Sequence, residues 1–254
     1  MKITFLGTGT SHGVPVIGCR CYVCQSDNKK DKRLRVSVLI QTEGKNIVID
    51  TGPDFRTQML NAGINRLDAV LFTHEHKDHT AGFDDVRAFN FWQEGKIPVF
   101  ATGQVQEHLR QSYDYIFAEH KYPGIPDIYL NTINKNNDFT AAGVKVKPIE
   151  VMHYKLPVLG FRFNDFVYIT DANYIAEAER EKIYGAEVLV INALRVQPHI
   201  SHFSLEQALL MAEELGARRT YFVHMSHQIG LHEEVQKTLP ENIYLAYDGL
   251  VINL

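Results

Sequence analysis

Thr73-His74-Glu75-His76-Lys77-Asp78-His79 places three imidazoles and a carboxylate in one short stretch, directly behind the apolar run Asp68-Ala69-Val70-Leu71-Phe72. That run is rich in strand-forming side chains and predicts a buried strand over Asp68–Thr73. A strand end opens onto the space beyond the sheet edge, where a ligand can bind. His74 and His76 are two apart, so an extended backbone turns both to one side. Asp78 and His79 fall on the following turn and can address a second ion. Imidazole and carboxylate together suit zinc, iron and manganese. A lone loop histidine is ordinarily just solvated; this density of donors behind an apolar strand makes metal binding the expectation.

The rest of the chain is consistent with a folded metalloprotein. It has 254 residues, 45% hydrophobic and 22% charged, enough to bury a substantial core. No apolar run is long enough to span a bilayer. Met1-Lys2-Ile3-Thr4-Phe5-Leu6-Gly7 reads as a strand entering a turn and not as a signal peptide, so a cytoplasmic location is expected. The net charge of −4 disfavours broad, unspecific nucleic-acid binding. It leaves room for a small anionic substrate, because bound metal ions add local positive charge.

No repeat, low-complexity tract or Pro/Gly/Ser-rich linker divides the chain, so one domain over residues 1–254 is expected. In the first half, strands are predicted at Lys2–Leu6, Val36–Gln41, Asn46–Asp50 and Asp68–Thr73, with a hairpin turn at Glu43-Gly44-Lys45-Asn46. A helix over Asp54–Ala62 is bracketed by Pro53 and Gly63. In the second half, strands are predicted at Val144–Val151, Leu159–Phe163, Phe166–Thr170, Glu187–Ile191, Thr220–Val223, Ile243–Ala246 and Leu250–Ile252. Helices are predicted at Tyr174–Tyr184 and Leu205–Leu215, the latter capped by Ser204 and carrying an apolar stripe of Leu205, Ala208, Leu209, Ala212 and Leu215. This is an α/β (α+β) pattern, with sheets packed together and covered by helices. Residues 113–142, with their tyrosines, Pro123, Gly124 and Pro126, break it. They read either as a surface excursion packed by its own aromatics or as a lid or dimer arm.

Two ions need more donors than His74–His79 supplies. His153, Asp171 and His224 each follow a predicted strand, as His74 does, and the two oxygens of Asp171 can bridge two ions. His108, His120, His199 and His232 lack such a placement. The order His74-x-His76-x-Asp78-His79, then His153, Asp171 and His224, resembles the metallo-β-lactamase superfamily over nearly the whole chain. The resemblance implies a four-layer αββα sandwich with a dinuclear site at one edge. It implies one ion on His74, His76 and His153, and another on Asp78, His79 and His224, with Asp171 bridging. It also implies that Asp50, in Ile49-Asp50-Thr51-Gly52, orients a ligand histidine; as bare sequence, Asp50 reads equally as a turn residue before Gly52.

Cys19, Cys21 and Cys24 are the only cysteines. Their C-x-C-x2-C spacing lets three sulfurs reach one ion, and zinc would want a fourth donor. His227, three residues beyond His224, is the best remaining histidine, and a redox pair is the alternative. Gly7-Thr-Gly-Thr-Ser-His-Gly-Val-Pro15 with the cysteine run, and Phe222-Val-His224-Met-Ser-His227-Gln, are similar to the PhnP-like branch. That resemblance implies a structural zinc on Cys19, Cys21, Cys24 and His227, and phosphodiesterase activity on five-membered cyclic phosphates such as phosphoribosyl 1,2-cyclic phosphate. It further implies that His202, before the helix at Leu205, is a general acid near the leaving group; the bland reading is a hydrogen-bonded helix-start residue. Arg87 could grip a phosphate bidentately, or simply pair with Asp84 or Asp85.

The expected activity is metal-dependent hydrolysis of a small anionic phosphodiester, a cyclic sugar phosphate or nucleotide, with two zinc or manganese ions. Such ions would acidify a shared water from about 15.7 to about 7. Asp171 would bridge them, and protonated His202 would meet the departing alkoxide. The rivals are a nuclease of the tRNA 3′-end type, a thioester or lactam hydrolase, and a non-enzymatic metal-binding module. The acidic balance speaks against the first, the cysteine cluster against the second by resemblance, and the full set of seven donors against the third. Exposed aromatics within Tyr113–Tyr129 make a homodimer a reasonable expectation.

Overall fold

Alternation along the strands sorts the side chains into three apolar layers. Val188 and Val190 point into the same core as Ala69 and Leu71, whereas Leu189 and Ile191 face the opposite way, as does Val70 on its own sheet. This is the period-two signature of sheets buried on both faces. The computed structural model describes residues 1–120 and 122–254. It contains two seven-stranded sheets stacked face to face.

The first sheet is built from β1 (Lys2–Gly7), β2 (Ser37–Thr42), β3 (Lys45–Ile49), β4 (Ala69–Leu71), β5 (Ile97–Ala101), β6 (Ile128–Thr132) and the C-terminal Val251–Asn253. Its order is C-terminal strand-β1-β2-β3-β4-β5-β6, and β3 through β6 run parallel. The second sheet holds β7 (Phe139–Ala141), β8 (Val144–His153), β9 (Leu156–Phe163), β10 (Phe166–Tyr168), β11 (Val188–Asn192), β12 (Arg219–Val223) and β13 (Ile243–Leu245), in order β13-β12-β11-β10-β9-β8-β7. Here β10 through β13 run parallel. Between the sheets, Phe5, Phe161, Phe163, Phe166 and Tyr168 are fully buried. Each contributes roughly 1.5–3 kcal/mol of burial free energy.

Helices close both outer faces. Phe55–Ala62, Arg87–Gln93 and Gly103–Ser112 cover the first sheet, and Leu205–Leu215 covers the second. The layers are therefore αββα, as expected. Ser204 and Gln207 form the reciprocal cap that starts the last of these helices, and Gly216 ends it in the left-handed conformation.

The expected helix over Tyr174–Tyr184 is largely absent. Only Glu177–Arg180 is helical, followed by turns. Met152 N donates to Tyr174 O and Asn173 N to Met152 O, so pairing to the end of β8 holds this backbone extended. Tertiary hydrogen bonds override local propensity there. Residues 113–142 are not irregular throughout. They contain a helical turn, Asp114–Phe117, and the edge strands β6 and β7 of the two sheets. Edge strands tolerate polar residues, as β6 does at Asn131 and Thr132, and so lack the apolar pattern of inner strands.

Candidate metal centre

Parallel strands bring their C-terminal ends to one edge, and loops from several strands converge there. Asp50 follows β3, His74 follows β4, His153 ends β8, Asp171 lies just past β10, and His224 follows β12. The two sheets are joined at this edge, where Leu159 N donates to Thr73 O over 3.0 Å. Asp50, Asp171 and His224 all adopt left-handed backbone, with φ of 63°, 57° and 56°. That conformation is costly for residues with a Cβ and recurs where function fixes the geometry. Gly52 and Gly82 permit the close packing of the two loops of the first sheet. A Cβ on Gly52 would lie 2.1 Å from Asp78 O, and one on Gly82 would lie 2.1 Å from Gly52 O.

Two clusters result. His74, His76 and His153 form the first. His74 Nε2 lies 3.0 Å from His76 Nδ1. Asp78, His79, Asp171 and His224 form the second. His79 Nε2 is 3.3 Å from Asp78 Oδ2 and 3.2 Å from Asp171 Oδ2, and His224 Nε2 is 3.2 Å from Asp171 Oδ1. Two nitrogens on one tetrahedral zinc are about 3.3 Å apart, given bonds of about 2.0–2.1 Å. The spacings therefore fit shared ions. So does the polar accounting: His79 Nε2 and both ring nitrogens of His224 are buried without hydrogen-bond partners. Buried polar atoms are otherwise almost always satisfied.

The opposite ring nitrogens of His79, His153 and His74 are held from behind. Asp50 Oδ2 sits 2.7 Å from His79 Nδ1 and accepts from Thr73 Oγ1 at 2.8 Å, while Oδ1 accepts from Thr73 N at 2.9 Å. His153 Nδ1 lies 2.9 Å from Ser201 O, and His74 Nδ1 lies 3.0 Å from Thr73 Oγ1. Such contacts fix the tautomer that leaves the other nitrogen free for an ion.

Electrostatics follow from this crowding. Burial works to raise the Asp171 carboxyl, but the charges of His224 and His79 overcome it and hold it well below the usual range. Asp78 shows the same contest and is lowered, with His79 the chief opponent of burial. Burial, then His79, pushes His74 well down and keeps it a neutral donor. His202 Nδ1 is 3.8 Å from Asp171 Oδ1, and the ring lies against His153 and His224 with centroids 4.6 and 4.8 Å away. Burial and the neighbouring His224 push its pKa down to about 3.

A second centre lies nearby. Cys19, Cys21 and Cys24 place their Sγ atoms 3.4, 3.2 and 3.5 Å from His227 Nδ1. Sulfur and nitrogen on one tetrahedral zinc are about 3.5 Å apart, from bonds of about 2.3 and 2.0–2.1 Å. The Cys24 backbone N–H is the main influence lowering Cys21 to about 6, whereas burial pushes Cys24 up to about 11.

Arg87 pairs with Asp84 at 3.1 Å, the default reading of its sequence context. Sequence reasoning set aside His199 and His232 and passed over Arg195. His199 stacks on His202, with centroids 5.2 Å apart. Arg195 sits in the loop leading to both. His232 is buried and accepts from Arg33 at 3.4 Å, while Arg33, itself buried, also donates to Thr8 Oγ1 and Ala246 O. His108 stays on a helix beside Ser112, and His120 is exposed.

The family model described as the beta-lactamase superfamily domain matches residues 45–225, which include all seven donors. The chain belongs to the beta-lactamase superfamily. Within this superfamily it is PhnP-like: a crystal structure of a diphosphatase from the PhnP family superposes with a TM-score of 0.93 at 39% identity, covering 99% of this chain and 96% of that one. A Porphyromonas gingivalis protein named octanoyltransferase is 42% identical over 252 residues, 98% of this chain but 51% of its own length. Ribonuclease Z of Bradyrhizobium diazoefficiens is 33% identical over 134 residues, 52% of this chain and 33% of its own length. The chain thus spans about half of the first of these two curated relatives and a third of the second. The metallo-β-lactamase fold implies divalent metal ions. Among the described residues, no helix is long and apolar enough to cross a membrane.

Proposed function

We propose that the chain is a phosphodiesterase acting on a small anionic diester, a cyclic phosphate of a sugar phosphate or nucleotide. The observation that carries this reading is the convergence of the two donor clusters on Asp171, with His202 beside them. His74, His76 and His153 would hold one ion, Asp78, His79 and His224 the other, and Asp171 would bridge. When bound, two zinc or manganese ions would supply Lewis acidity, activating water and drawing charge from a phosphate oxygen.

The chain's own residues set the geometry. Asp50 keeps the His79 proton on Nδ1, and Ser201 O does the same for His153. Asp171, ionised throughout the physiological range, keeps both oxygens available for bridging. His202, whose ring stands beside Asp171, would donate the proton to the departing oxygen. Cys19, Cys21, Cys24 and His227 would hold a structural zinc that does no chemistry. It would tie the loop after β1 to the loop carrying His224.

The test is a metal count followed by turnover of a model phosphodiester, a cyclic phosphate, a β-lactam, an octanoyl thioester and a precursor tRNA. The thioester and the tRNA are included because of the relatives' names. Phosphodiester turnover that depends on added zinc or manganese supports the reading. Metal bound only at the cysteines, with no diester turnover after loading, sinks it.

A further inference from the structure

A cavity of about 330 Å³ opens beside the metal centre, with His202 in its wall. Ser11, His12, Arg195, His199 and Gln228 line it as well. No carboxylate does, although the chain as a whole carries a net charge of −4. The volume suits a small ligand and not a macromolecule.

Arg195 is built into this wall. Leu194 N donates to Phe203 O, Leu205 N to Arg195 O, and Ser226 N to Leu194 O. These bonds fix the loop against the segment holding His202 and against the segment between His224 and His227. The guanidinium itself is braced by three neutral acceptors. Nε donates to Gln197 O at 3.2 Å, Nη1 to Gln228 Oε1 at 3.1 Å, and Nη2 to Pro198 O at 2.9 Å. A guanidinium has five N–H donors, so one remains on each terminal nitrogen. A braced fork without an acidic partner, in a carboxylate-free pocket, suits bidentate capture of an anion.

We propose that Arg195 is a specificity-determining residue, binding a second anionic group carried by the same small substrate whose diester meets the metal centre. This rests on the phosphodiesterase reading for the position of the scissile group. His227 also lines the cavity, so the cysteine cluster shapes the wall that the substrate touches.

The test compares thymidine 5′-(p-nitrophenyl phosphate) with its 3′-phosphorylated counterpart on the metal-loaded protein. The phosphorylated diester is expected to be preferred in kcat/KM by about 10- to 100-fold, the range of a charge-assisted contact, with the gain in KM. Arg195→Met should abolish the preference, and Arg195→Lys, which keeps the charge but gives up the bracing fork, should retain part of it. Calorimetry with thymidine 3′,5′-bisphosphate and thymidine 5′-monophosphate repeats the comparison without turnover. Tighter bisphosphate binding that Arg195→Met removes supports the assignment, even if neither diester is hydrolysed; that combination sinks the phosphodiesterase reading alone. Equal affinity for the two nucleotides in the parent protein, or discrimination unchanged in Arg195→Met, overturns the role of Arg195.

Discussion

Asp50→Asn changes one atom and one charge at a fully buried position. The amide oxygen can still accept from Thr73 N, which the native Oδ1 does at 2.9 Å. The new NH2 group then occupies the place of Oδ2, 2.7 Å from His79 Nδ1. Two donors cannot face each other there. His79 must move its proton to Nε2, the atom that Asp78 and Asp171 approach at 3.3 and 3.2 Å. A protonated Nε2 has no lone pair for an ion. Losing such a supporting contact ordinarily costs about 10- to 100-fold in metal affinity, or roughly 1.4–2.8 kcal/mol. The assay equilibrates parent and variant in buffers of graded free zinc and counts bound metal by plasma mass spectrometry. One active-site equivalent should shift to higher zinc while the others stay in place, and turnover should fall with it. An Asp50→Asn protein that binds every equivalent with parental affinity refutes the argument that Asp50 sets the His79 tautomer.

Other perturbations separate the remaining parts. Asp171→Ala should lower turnover by at least about 10³-fold with the circular dichroism spectrum retained, because removing a residue that acts as part of a unit removes most of the unit's effect; unchanged turnover excludes Asp171 from the site. Cys24→Ala should release one zinc equivalent per chain. If that metal contributes about 3 kcal/mol to folding, the melting temperature should fall by roughly 6–12 °C, and an unchanged zinc content would remove the cysteines from any metal site. His232 bears on acid stability. Burial and then Arg33 depress it to about 4 from an ordinary 6.5, so the folded state binds its proton more weakly than the unfolded chain does. Its contribution is fully present above pH 6.5 and is lost as the pH falls toward 4, about 2 kcal/mol after allowing for partial solvent access. His232→Gln should flatten the chemical-denaturation stability profile across that window; a slope identical to the parent's would show that another group carries it.

Much of this site was legible in the sequence because its donors come in strand-end positions. His74, His153, Asp171 and His224 each follow a run of apolar, strand-forming residues, and parallel strands deliver such ends to a common edge. The cysteine cluster was legible through its spacing. What escaped notice depends on contacts distant in sequence. Pro98 and the half-polar Tyr129–Thr132 obscured β5 and β6, whose pairing comes from neighbouring strands. Tyr174 follows β8 instead of its own helical propensity. Arg195 stands alone in an irregular loop, without periodicity or motif, and gains meaning only when that loop meets His12 and Gln228. His232 had no distinguishing placement in the sequence because Arg33, its partner, lies 199 positions away.

The three left-handed residues Asp50, Asp171 and His224 carry a consequence for how this chain can change. Each holds a conformation that glycine would adopt without strain, at a cost of order 1–3 kcal/mol for a side chain kept there. At Asp50 and Asp171 the side chain also satisfies buried donors, so glycine there would trade backbone strain for orphaned hydrogen bonds. At His224 neither ring nitrogen has a partner, so glycine would relax the empty scaffold while abolishing an ion ligand. Selection for thermal robustness alone, with no demand for turnover, would therefore drift toward glycine at His224, and its retention in a laboratory lineage evolved under heat would report that hydrolysis was still being selected.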